Sequence, residues 1–127
     1  MREAMVCWTA ALWIAGCGTT EEHHHGGPTG ATCPTSSTLT YQSFGQGFMA
    51  TYCTRCHSSS VTGTARQGAP VGINFDTLEG IRASAVTTDS HAAAGPNGIN
   101  ADMPPSSPAP SEAERRQLGE WLACGAP

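Results

Sequence analysis

Cys53-Thr54-Arg55-Cys56-His57 is the stretch on which the fold turns. Two thiols three positions apart, followed at once by an imidazole, form the spacing of c-type haem attachment. The order follows from the chemistry. The cysteines add across the two vinyl groups of haem, and the next residue is then held beneath the porphyrin. A neutral imidazole there can bind the iron as proximal ligand. The expected cofactor is therefore haem c, covalently held through Cys53 and Cys56, with His57 on the iron.

The remaining composition suits a small protein built round such a group. The 127 residues allow one small domain, with 39% hydrophobic and 6% aromatic residues, 15 Gly and 9 Pro. Domains this lean usually need a staple, and a buried haem supplies apolar surface that the side chains lack. The formal net charge is −4, every basic residue is an arginine, and no basic stripe occurs, which argues against a nucleic-acid partner. Six cysteines point to an oxidising compartment, a metal or a cofactor.

Upstream, residues 1–16 read as a signal peptide. Arg2 precedes a short apolar run, Val6 to Ala15, too short for a stop-transfer helix. The run ends in Ile14-Ala15-Gly16-Cys17, which resembles a bacterial lipobox, so Cys17 is the expected lipidation site. Residues 17–38 then read as a flexible, solvated linker of Gly, Thr, Ser, Pro and His. His23-His24-His25 lies in it and reads as a polar spacer, because a flexible tether presents no fixed metal geometry. The domain proper is expected over 39–127.

Downstream of the linker the pattern is helical. Tyr41 to Tyr52 places Phe44 and Phe48 four apart and runs straight into Cys53. Ser58 to Pro70 reads as a loop. Leu78 to Val86 carries Leu78, Ile81 and Ala85 at helical spacing, with Asp76 or Thr77 as N-cap. Thr87 to Pro110 reads as irregular. Ser111-Glu112-Ala113-Glu114 is a capping box opening a last helix, with Leu118, Trp121 and Leu122 on its apolar stripe and Gly125 as its stop. Arg115, Arg116 and Glu120 are expected to face water.

With these elements in order, Thr38 to Gly125 resembles a class I-type monohaem cytochrome c domain, of the kind appended to bacterial lipoproteins. The resemblance implies an all-α fold of three to four short helices wrapped around one covalent haem. It implies that the first and last helices cross at a glycine–aromatic contact, for which Gly45 and Trp121 stand in place. It also implies a methionine sixth ligand from the loop before the last helix, where Met103 sits. Proline after it would stiffen that loop. Met49 and His91 are the competitors: Met49 reads as core and His91 as a loop residue. Pro70 matches the family proline whose carbonyl accepts the proximal imidazole N–H. Cys33 and Cys124 flank the two helices that the fold brings together, and they are the candidate disulfide.

The implied function is electron transfer without catalysis, between redox partner proteins. The chain would be a monomer lipid-anchored in the envelope of a Gram-negative bacterium, at the outer membrane or the periplasmic face of the inner one. Two other classes stay open. One is a haem-based sensor or ligand-binding lipoprotein with an open sixth site. The other is a haem-free thiol or zinc lipoprotein.

Overall fold

The computed structural model describes residues 26–127. The expected signal peptide 1–16, the lipidation site Cys17 and His23 to His25 lie outside the described residues. Within them the chain is mostly helical with one small two-stranded ladder, so the all-α expectation needs that correction.

Thr40 opens the first element with a reciprocal capping box to Ser43, and a π-helical turn follows over Tyr41–Gly45. It leads into α1, Gln46–Tyr52. Phe44, Phe48 and Tyr52 recur every four residues, and their rings meet in sequence at centroid distances of 5.3 and 5.0 Å. A 3-10 turn covers Gly63–Arg66. Thr77 caps α2, Leu78–Ala83, by accepting from the amide of Gly80. The single helix expected over 78–86 instead breaks at Ser84, and α3 continues over Ala85–Ala92. The expected irregular region from Thr87 is thus helical for a further six residues. It then forms an antiparallel ladder of β1, Ala94–Gly95, and β2, Gly98–Ile99. The connection is Pro96-Asn97, a tight turn. The last helix, α4, runs over Glu112–Ala123 behind the Ser111 and Glu114 capping box.

The core forms where α4 packs against α3 and the first strand of the ladder, with apolar residues of the first helical stretch and α2 joining the same cluster. Trp121, Leu118 and Ile81 are wholly buried, and Phe48, Met49, Phe75 and Leu122 close round them. Gly45 is required at the crossing of the first turn with α4. A Cβ there would sit 2.3 Å from Trp121 Cζ2, so only glycine lets the indole lie flat on the backbone. Phe44 closes edge-on to the same indole at 5.9 Å. After α4, Gly125 takes φ +83° and the chain folds back, with the amide of Ala126 donating to Trp121 O.

The part of the expected linker that is described, 26–38, lies on the domain. Thr29 is buried, and its amide and Oγ1 donate to the Asp89 carboxylate at 2.8 and 2.6 Å. The amide of Asn97 donates to Thr29 O. Cys33 and Cys124 are joined as a disulfide, with Cα atoms 4.7 Å apart. A polar composition predicted solvation here, but hydrogen bonds to α3 and the turn of the ladder, together with the disulfide, hold the segment.

Candidate functional site

The end of α1 turns tightly enough to gather the motif. The amides of Cys53 and Thr54 both donate to Met49 O, and those of Cys56 and His57 both donate to Cys53 O. Cys53, Cys56 and His57 consequently line one cavity of about 240 Å³. Ile73 and Phe75 continue its wall, α3 contributes Thr88 and His91, and the loop before α4 contributes Met103, Pro104 and Pro105. Met49 is buried in the core and does not line this cavity, as its expected role required.

His57 is oriented from behind. Its Nδ1 lies 3.2 Å from Ile73 O. A carbonyl oxygen only accepts, so Nδ1 carries the proton and Nε2 keeps its lone pair. Burial pushes the imidazole pKa down, opposed by the Ile73 hydrogen bond and assisted by nearby Arg66. At neutral pH the ring is neutral. The Phe75 ring packs at 5.1 Å, and the amide of Phe75 donates to His57 O. Pro70 does not hold the imidazole as expected: its carbonyl accepts from Arg66 Nη2, and Ile73, three residues on, supplies the acceptor. The turn over 70–73 explains the shift, since the amide of Ile73 donates back to Pro70 O and its own carbonyl points onward.

Cys53 and Cys56 are free of each other. Burial pushes the Cys53 thiol up to about 12, against a lowering pull from Arg55 and Arg115. Such a thiol stays protonated at neutral pH. Among the described residues no group of three or more His, Cys, Asp or Glu side chains is gathered to hold a metal ion.

Met103, which lines the same cavity, is held through its backbone. Its amide donates to His91 O at 2.9 Å, and its carbonyl accepts from Arg115 Nη1 at 2.8 Å. His91 lies in the last turn of α3 and is not a loop residue. Its Nδ1 lies 3.3 Å from the Asp102 carboxylate. Arg55 reaches from the motif to the same loop, donating to Ser106 O and to Ser107 O. Its Nε is buried, lacks a protein partner, and belongs to a side chain that lines the cavity.

Two arginines of the site escaped the sequence reading. Arg66 is 4% exposed and gathers the loop after the motif, donating to the carbonyls of Ser58, Val61, Ala69, Pro70 and Ile73 and to Asn74 Oδ1. It is the one charge between His57 and Asp76, and that isolation was the available signal. Arg115, expected to face water, is 5% exposed. It stands three and seven residues before Leu118 and Leu122, in phase with the buried stripe. No family model, curated protein or solved structure matches the chain.

Proposed function

We propose that this chain is a monohaem c-type cytochrome, of class I-like fold, that transfers single electrons while lipid-anchored in a bacterial envelope. The observation that carries the reading is the shared cavity: Cys53, Cys56, His57 and Met103 all line it. The residues fit the group on further grounds. The His57 Nε2 lone pair is kept for iron by the bond from Nδ1 to Ile73. The partnerless Arg55 Nε is a donor at the cavity wall, suited to a carboxylate such as a haem propionate. Two cysteines standing free in a chain that holds a disulfide elsewhere accord with thioether formation.

Bound haem would supply the reversible one-electron change on iron. The chain's residues would hold and insulate it. Cys53 and Cys56 would hold its rim, His57 and Met103 would supply the ligands to iron, and Phe48, Ile73 and Phe75 would exclude water. An imidazole and a thioether that both stay bound would leave no open position on the group, which suits electron transfer in place of oxygen chemistry. The Ile14 to Cys17 pattern and the disulfide support export and anchoring.

His91 also lines the cavity and is the second reading for the sixth ligand. The full chain, expressed with a c-type cytochrome maturation system, should carry haem through a denaturing gel stained for peroxidase activity. Haem lost on denaturation sinks covalent attachment. Met103→Ala should abolish the near-infrared sulfur-to-iron charge-transfer band of the ferric protein and admit CO to the ferrous one. If His91→Ala does this and Met103→Ala does not, His91 is the ligand.

A further inference from the structure

Four prolines, 104, 105, 108 and 110, stand in the eight residues after Met103. Each lacks an amide donor, so this segment is poorly able to pair with itself or with a strand. Its backbone offers mainly carbonyls, and whatever fixes it must be a donor from elsewhere. The donors present are guanidinium groups. Arg115 Nη1 lies 2.8 Å from Met103 O, 2.7 Å from Ala92 O and 3.0 Å from Asn100 O. One buried cation thus joins the end of α3, the end of the ladder and Met103 to α4. Arg55, between the two motif cysteines, donates through Nη1 to Ser107 O at 2.7 Å and through Nη2 to Ser106 O.

We infer that Arg55 and Arg115 are positioning residues for the sixth ligand, clamping the Met103 loop to the haem-attachment turn and to α4. The inference rests on the haem reading above. A methionine thioether is a weak neutral ligand, and its bond to iron persists only if the loop cannot swing away. Charged donors make shorter, stronger bonds than neutral ones, and the planar fork of arginine reaches two carbonyls at once. Lysine offers a single ammonium and cannot reproduce the Arg55 pair.

The test uses holoprotein of the full chain. Wild type should show the charge-transfer band when ferric and bind CO slowly when ferrous. Arg55→Gln and Arg115→Lys should keep covalent haem on the denaturing gel. Each should bind CO about tenfold faster, as the loss of about 1.4 kcal/mol of loop anchoring implies, and lose the band at a lower temperature than wild type. Arg116→Gln, on the exposed face of α4 and paired with Glu112, should behave as wild type. Arg55 is only partly buried, whereas Arg115 is 5% exposed, so the Arg55 variant decides the matter even where Arg115→Lys does not fold. Unchanged CO binding and unchanged band loss in Arg55→Gln overturn the inference alone. Wild type without covalent haem, or with haem but no band, overturns it together with the reading it rests on.

Discussion

Arg66 shows how a single side chain can stand in for secondary structure. The loop from Ser58 to Asn74 has one short 3-10 turn, and five of its carbonyls converge on one guanidinium. Burying a cation is costly, and carbonyl dipoles offset that cost here. Arg66→Met keeps the stem and removes the donors, leaving buried acceptors unpaired. We expect a loss of about 3 kcal/mol in urea unfolding. The Ile73 carbonyl is shared between Arg66 Nη2 at 3.1 Å and His57 Nδ1 at 3.2 Å. In the holoprotein, removing the cation should favour the more positive ferric state, so potentiometric titration of Arg66→Met should give a lower potential than wild type. An unchanged potential would show that Arg66 acts on the loop alone. At this scale the sequence was uneven. That Cys53, Cys56 and His57 come together was legible from their spacing, and the Gly45–Trp121 contact, which the structure shows, from the resemblance. The acceptor for His57 was not, because a carbonyl belongs to every residue and backbone turns choose among them.

The last helix carries the clearest local code, and Glu114 links it to the first. Its Oε2 accepts from Ser111 Oγ and from the Ser111 amide, while Oε1 accepts from Tyr52 Oη at 2.9 Å. These bonds favour the carboxylate, led by the one from the Ser111 hydroxyl, and hold its pKa below the ordinary value of 4.5. The same carboxylate pushes the Tyr52 phenol pKa up, its hydrogen bond being the largest cause. The unfolded chain therefore binds the proton first as pH falls. The contribution of Glu114 is complete above the unfolded pKa and is lost as pH drops through the lowered native one. Urea midpoints of wild type and Glu114→Gln should converge in acid, and Ser111→Ala should cost about 1 kcal/mol at neutral pH. A constant difference across pH would refute the linkage. The box was legible because capping is local. The break at Ser84 and the two-residue ladder were not. Neither has a hydrophobic period, and both depend on contacts outside themselves: α4 packs against the first strand, and Gly119 meets Ala94 O so closely that a Cβ would lie 2.5 Å away.

Across the described residues as a whole, the segment before the first helix and the segment after α4 are joined, as the expected disulfide implied. The Cys33–Cys124 disulfide spans 91 positions, and the amide of Tyr41 and Nε1 of Trp121 both donate to Pro127 O. The segment over 26–38 lacks apolar residues in any period, so its docking could not be read from pattern. It depends on Asp89 and Asn97, some sixty residues away, whose approach only the folded chain provides. A disulfide closing so long a loop restricts the unfolded chain, by about 4 to 5 kcal/mol in the chain-entropy model. The bond lies at the end of α4, and neither of its cysteines lines the cavity. Replacing both by serine should therefore lower stability to urea by up to that amount while leaving haem attachment and the Met103 charge-transfer band intact at low denaturant. Loss of the band under native conditions would instead mean that the closure of the ends is transmitted through α4 and Arg115 to the Met103 loop.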